Sequence, residues 1–468
     1  MTRYESLADE LAGLVESGVL RPGERLPSTR SVAASRRLSV ATVTQAYYLL
    51  EDRGLVSARP RSGYYVNAHW KAAASVPAIS SPPETAAPLD VSELVFEVLG
   101  EIRKRDVVPL GSAFPSPLLF PLGKLGQALG KTARRLDPWK TVEDLSPGSA
   151  ELRRQLAKRY SAHGVNVPPG EIVVTSGALE ALNLCLEAVT RPGDVVAIES
   201  PCFYAALQSV ERFGLRAVEI ATDPAEGMDL AALERAIRRN DVKAVWCMTT
   251  FQNPLGATMP EAKKQALVEL LARHGVPLIE DDVYAELYFG RVRPRPAKAW
   301  DRAGLVIHCG SFSKSLAPGY RLGWCAPGRF ARAVERGKLT TSIATSIPVQ
   351  EALADFLRQG GYDHHLRRLR AALQSQHAQA LRAIREHFPE GTLHTRPAGG
   401  YFVWAELPEG CDAMSIYRAA LKRGVSVAPG PIFSAKRGFE RCLRLNTGHP
   451  WSEAQAFAYR LLGRLAKG

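Results

Sequence analysis

The feature that most limits what this chain can fold into is an abrupt change of composition at residues 71–88, KAAASVPAISSPPETAAP, which is almost wholly Ala, Ser and Pro. A stretch with so few large apolar groups cannot bury enough surface to offset the entropy of ordering it, so it reads as a linker. Taken to run to residue 90, it divides the 468 residues into a short head, residues 1–70, and a long body, residues 91–468. A single core of that total size is not expected, so length and composition agree on more than one domain.

The remaining composition mainly excludes. Apolar residues at 46% and charged residues at 23% are ordinary for a globular chain. No uninterrupted apolar run is long enough to cross a bilayer. The N-terminus, MTRYESLADELAGLVESG, is charged and amphipathic, unlike a secretory signal. Seven cysteines are scattered singly, with no CxxC pair. That pattern argues against a disulfide framework or a metal centre and points to a reducing, cytoplasmic setting. A formal charge of +13 would suit a polyanionic partner. Residues 1–70, however, carry nine arginines against seven acidic residues, so most of the excess lies in the body. A solvated basic surface explains the charge as well as nucleic acid does.

The head reads as three helices and a hairpin. Tyr4, Leu7, Ala8, Leu11, Leu14 and Val15 recur on one helical face, and Gly18 with Arg21-Pro22-Gly23 ends that helix. Ser28 suits the cap of a second helix and Ser39 that of a third, running to about Arg53 before Gly54. LVSARPRSGYYV then gives two short strands about a tip at Pro60–Gly63. The spacing allows a helix-turn-helix with a wing. Thr42, Thr44 and Gln45 lie near the start of the third helix, where base edges would be reached. Arg30, Arg36 and Arg37 are candidate phosphate contacts, as is Arg61 at the hairpin tip beside Arg59, and Gly63 permits close backbone approach. A three-helix interaction module with incidental arginines satisfies the same spacing. The run from ESGVLRPGERLPSTR through TVTQAY to GLV and RSGYYV resembles the winged helix-turn-helix of the GntR family, which implies double-stranded operator DNA as partner. It departs from that pattern at Ala41, where an arginine is frequent.

The body alternates apolar runs with amphipathic helices: EIVVTS, VVAIES, RAVEIA, KAVWCMTT, VPLIEDD and LVIHCGS are each followed by turn residues or helix. This is the pattern of an α/β domain with a mostly parallel sheet. Past about residue 331, long helices and the short strands YFVWAEL, SVAPG and CLRLN suggest a smaller α+β lobe. SFSKSLAPGYRLGW, residues 311–324, places a lysine just beyond a strand, between serines and before an arginine. Such a group offers an amine for a Schiff base and ligands for a phosphate. EIVVTSGALEAL is a strand, a tight turn and a helix start, where backbone N–H groups at Gly177 and Ala178 would favour an anion.

Together these segments resemble the fold-type I aminotransferases, which use pyridoxal 5′-phosphate (PLP). The resemblance, over about residues 105–465, implies a Schiff base on Lys314. It implies phosphate ligands at Ser311, Arg321 and, less directly, Ser313. Phe203 would stack on the pyridine ring, with Tyr204 as its neighbour. Asn253 and Tyr284 would meet the phenolate oxygen, Asp281 would pair with the ring nitrogen (with Asp282 as its rival), and Arg444 would clamp a substrate carboxylate. A GntR-type head joined to such a body is the architecture of the MocR subfamily of transcriptional regulators. By that resemblance the chain is a homodimeric, DNA-binding regulator whose body senses PLP, a small amino compound, or both, through an aldimine at Lys314. An active aminotransferase with an accessory head, and a body that holds PLP only as a structural ligand, remain alternatives. No aromatic residue closely precedes Gly148, where aminotransferases often place a tyrosine directed at the partner subunit.

Overall fold

The computed structural model describes residues 3–16, 19–52, 54–59, 62–67, 76–101 and 106–468. In the head, α1 (Arg3–Glu16), α2 (Thr29–Arg36) and α3 (Val40–Asp52) precede a hairpin of β1 (Val56–Arg59) and β2 (Gly63–Val66). Both predicted caps form: Ser28 Oγ accepts from the Ser31 amide at 3.1 Å, and Ser39 Oγ accepts from that of Thr42 at 3.1 Å. The apolar stripe of α1, with Leu7, Ala8, Leu11 and Val15, closes on Val32, Val43, Ala46, Tyr47, Leu50 and the hairpin's Val56 and Val66 in one buried cluster. Tyr47 OH donates to the Pro27 carbonyl at 2.7 Å, so its buried hydroxyl is satisfied.

The body's main sheet has eight strands: β3 (Val173–Thr175), β4 (Val195–Ser200), β5 (Arg216–Asp223), β6 (Gly227–Met228), β7 (Val242–Cys247), β8 (Leu278–Asp281), β9 (Val306–Ser311) and β10 (Gly323–Ala326). Their order is β3-β10-β9-β8-β7-β4-β5-β6. The run β9-β8-β7-β4-β5 is parallel, while β10 is antiparallel to both its neighbours and β6 to β5. Strands buried on both faces read as near-continuous apolar runs, which is why the sequence announced them. A four-stranded antiparallel sheet forms the smaller lobe from β11 (Leu393–His394), β12 (Phe402–Glu406), β13 (Ala428–Pro429) and β14 (Cys442–Asn446), in the order β11-β12-β14-β13.

The lobe boundary differs from the sequence reading. The helices Ala331–Thr341 and Ile347–Arg358 bury Val334, Leu353 and Phe356 against the large domain's own apolar clusters. The small lobe therefore starts within the 27-residue helix α4 (Gly361–His387). It also takes in Val95, Val98 and Leu110 from the N-terminal side, and Val108–Pro109 pairs in parallel with Val425–Ser426.

The linker differs too, in its second half. Ser80 Oγ donates to the Ser200 carbonyl at 2.5 Å and accepts from the Thr222 amide at 2.9 Å. Ala87 bridges Ala217 on the free edge of β5, and Glu84 pairs with Arg235 and Arg239. A Pro-rich segment with little apolar surface can still be held by backbone hydrogen bonds to an open sheet edge, which composition does not register. Among the described residues no helix is long and apolar enough to cross a membrane, and no group of three or more His, Cys, Asp or Glu side chains could hold a metal.

Candidate active site

The carboxyl ends of the parallel strands converge at one place, where open α/β sheets bind their ligands. Asp281 is the last residue of β8, Lys314 lies three residues beyond β9, and Asn253 sits in the turn after β7. Lys314 is half-buried and its Nζ donates to the Ala113 carbonyl at 2.8 Å, 3.7 Å from the centroid of the Phe114 ring and 5.9 Å from that of Tyr284. Burial pushes its amine down to about 7, helped by the Arg444 and Arg321 charges and opposed by Asp281. An amine so depressed is available as a nucleophile near neutral pH.

Asp281 is wholly buried, and neither carboxylate oxygen has a partner. Burial and the neighbouring Asp282 lift it to about 7. Asp282 Oδ2, by contrast, accepts from Arg293 Nη2 at 2.8 Å and His308 Nε2 at 3.0 Å. Its carboxyl is held low chiefly by Arg293 against the upward push of burial. Of the two rivals, Asp281 alone is left facing an unmet demand for positive charge. Asn253 is also fully buried; its Oδ1 accepts from Arg444 Nη1 at 3.0 Å while its Nδ2 is unpartnered.

An anion cradle adjoins these groups. Gly177, at φ 92°, caps the helix Ala178–Val189, whose first amides are free for a ligand. A Cβ at Gly177 would come within 2.5 Å of Arg321 Nη2, and one at Gly323 within 2.7 Å of the Ala178 nitrogen, so both positions need glycine. Arg321 donates to the Ser176 carbonyl at 3.2 Å and reaches Ser313 Oγ at 3.5 Å, and Ser311 Oγ donates to Ser313 Oγ at 3.0 Å. Two hydroxyls, a guanidinium and a helix N-terminus thus share one small space. The orphaned carboxylate, the orphaned amide and this cradle fit the ring nitrogen, the phenolate oxygen and the phosphate of PLP.

Arg444 is fully buried, with Nη2 donating to the Gly111 and Ser112 carbonyls at 2.6 and 3.2 Å and its guanidinium 4.3 Å from the Phe402 ring centroid. Tyr284 is buried edge-on to the Tyr401 and Phe402 rings. Phe203 is half-buried against Tyr204, itself buried and in ring contact with Phe433. The structure therefore brings together Lys314, Asp281, Asn253, Arg444 and Tyr284, and sets Gly177, Ala178, Ser311, Ser313 and Arg321 as the cradle. Sequence reasoning missed Ala113 and Phe114, which meet the lysine from a turn without helix or strand periodicity. It also missed Tyr401, whose hydroxyl donates to the same Ala113 carbonyl at 3.0 Å. Glu199, in β4, was missed as well: it is buried, accepts from the Met248 amide at 2.9 Å and is lifted by burial to about 8.

On the head, Arg30, Arg37 and Gln45 are exposed and Thr44 is half-exposed. Arg36 is exposed but forms an ion pair with Glu10 of α1, so it is committed within the head. Thr42 is partly occupied by its hydroxyl contact with Ser39 at 2.8 Å. Gly63, at φ 106°, stands beside Arg25. Arg61 lies outside the described residues. Tyr48, one turn beyond Thr44 on the same face of α3, is 55% exposed and was not anticipated; its large exposed ring was the available signal.

Fold and site define a fold-type I PLP domain behind a winged helix-turn-helix. The chain belongs to the class I and II aminotransferase family, whose model matches residues 144–461, and residues 3–66 match the gntR family of bacterial regulatory proteins. Pyridoxal phosphate is the cofactor of this class, and the pairing of the two parts is of MocR type. The uncharacterized HTH-type transcriptional regulator YdcR of Escherichia coli is 47% identical over 99% of both chains. Aromatic-amino-acid aminotransferase 1 of Thermococcus litoralis is 33% identical over 78% of this chain and 88% of its own. Among solved structures, the multiple substrate aminotransferase of Thermococcus profundus superposes with a TM-score of 0.74 at 29% identity, covering 80% of this chain and 94% of its own. LysN, an α-aminoadipate aminotransferase of Thermus thermophilus solved with N-(5′-phosphopyridoxyl)-L-leucine, gives 0.73 at 30%, covering 81% and 99%.

Proposed function

We propose that the protein is a DNA-binding transcriptional regulator whose aminotransferase-like body reads PLP, or an amino compound presented to it. The observation that carries this reading is the joining, in one chain, of a winged helix-turn-helix with an exposed α3 face to a body whose buried Asp281 carboxylate is unpartnered. When bound, PLP supplies a carbonyl for the lysine amine and a cationic ring as electron sink. Lys314 bonds the cofactor. Asp281 holds the proton at its ring nitrogen, and Asn253 and Tyr284 hold its phenolate oxygen. Phe203 covers the ring face. Ser311, Ser313, Arg321 and the amides of Gly177 and Ala178 hold the phosphate, and Arg444 offers a planar fork to an effector carboxylate. YdcR, named as a transcriptional regulator and matching over almost the full length, favours regulation over turnover as the main role.

The regulator works as a homodimer on double-stranded operator DNA, with Thr44, Gln45, Arg30 and Arg37 among its contacts. An effector acts only so far as it binds one arrangement of the dimer better than the other. The deciding test is a mobility shift on the gene's own upstream region at fixed salt, with and without PLP and amino acids. A specific complex whose midpoint moves with PLP in the wild type but not in Lys314→Ala supports the reading; no specific complex under any condition ends it.

A further inference from the structure

Two acidic side chains stand next to each other at the end of β8, both without access to water, yet they are treated oppositely. Asp282 ends a chain of hydrogen bonds. The indole Nε1 of Trp324 can only donate, and it donates to Tyr160 OH at 2.9 Å. Tyr160 OH also bonds His308 Nδ1 at 2.7 Å. His308 Nε2 donates to Asp282 Oδ2 at 3.0 Å. Arg293, with only 9% of its side chain exposed, donates to the same Oδ2 at 2.8 Å, while Oδ1 has no hydrogen-bond partner. Its position is fixed in turn by Glu286, 3.4 Å from Nε, which also meets Arg159 at 3.0 Å and Arg370 of α4 at 3.4 Å. The other charged and titratable groups facing this cluster include His163, 4.0 Å from Glu286, and Lys264, whose amine is held by Thr250 and the Arg295 carbonyl, with Lys314, Glu199 and Cys309 facing Asp281. Arg293 is the permanently charged group bonded to Asp282.

Two neighbouring buried carboxylates cannot both stay ionised without a countercharge. With Asp282 paired, the charge at Asp281 is the one left for a ligand. We propose that Arg293 is a positioning residue which, by taking Asp282 as its own ion-pair partner, makes Asp281 the carboxylate that meets the cofactor's ring nitrogen. This rests on the reading that the site holds PLP on Lys314. Without Arg293 the Asp282 charge is uncompensated, local potential becomes more negative, and protons at the neighbouring site are held to higher pH.

The test uses the full chain, titrated with PLP and followed by the absorption of the bound cofactor between pH 6 and 9. Arg293→Met is expected to weaken PLP binding roughly tenfold, the size of one pK unit of lost charge compensation, and to raise the pH midpoint of the absorption change. Arg293→Lys keeps the charge and restores the midpoint. The double variant Asp282→Asn/Arg293→Met removes the charge together with its compensation and is expected to recover binding to within about threefold, as a coupled pair should. Wild-type affinity and midpoint in Arg293→Met would overturn the proposal. So would a double variant as impaired as the single one, because that marks a merely structural role. Failure of the underlying reading looks different: wild-type protein gives no absorption change with PLP, or Lys314→Ala gives the same one.

Discussion

Asp281 and Lys314 carry opposite perturbations into one buried space, and each has a consequence for stability that can be signed. Asp281 is raised to about 7, so the folded state binds its proton more tightly than the unfolded chain does. Its contribution is complete below the ordinary carboxylate range and is lost as the pH rises through 7. Lys314 is lowered from 10.5 to about 7, so its contribution is complete above 10.5 and is lost as the pH falls through 7. Cofactor-free protein should therefore pass through a stability minimum near pH 7. Asp281→Asn should remove the fall on the acid side and Lys314→Met the rise on the alkaline side, each read from urea midpoints across pH. In the cofactor-loaded protein the same Asp281→Asn change should weaken PLP binding by roughly ten- to a hundredfold, one to two pK units of lost pairing, measured by equilibrium titration. The sequence named these residues because their spacing follows a family pattern. That pattern favoured Asp281 over its rival Asp282, but the pairing of Asp282 with Arg293, eleven residues away, and with His308 on the adjacent strand was not legible there.

At the scale of elements, the cradle depends on glycine where the chain turns from β3 into the helix Ala178–Val189. Gly177→Ala would force a Cβ against Arg321 from a left-handed backbone. It should cost about 1–3 kcal/mol and weaken phosphate binding, checked by thermal melting and by competition with inorganic phosphate. The parallel strands were legible because burial on both faces writes a continuous apolar run. β10 and β6 were not: Gly323–Ala326 starts at the end of the lysine motif, and β6 is two residues long. The docked half of the linker escaped for a different reason, since its attachment is made by backbone groups, the Ser80 hydroxyl and Glu84. Glu84→Arg should turn two attractions on the helix Leu230–Asn240 into repulsions. Exposed pairs contribute about 0–1 kcal/mol each, so global stability should barely move, while amide exchange at residues 78–90 should quicken.

At the scale of the whole molecule, the head and body present separable surfaces. Gln45→Ala and Tyr48→Ala change exposed side chains of α3, so operator affinity should fall while the thermal midpoint and PLP affinity stay unchanged; band shifts and melting curves together check this. The docking of residues 76–90 onto the body bears on that surface in another way. Thirteen virtual bonds separate Asn67, at the end of the wing, from Ser80, the first residue hydrogen-bonded to the body. Even fully drawn out, these reach roughly 45 Å, little more than one turn of duplex. Each reading head is thus on a short leash tied at the edge of the main sheet. In a dimer, the separation of the operator half-sites would be measured off by the width of the aminotransferase body, and a linker that looks elastic in sequence would act as part of the ruler.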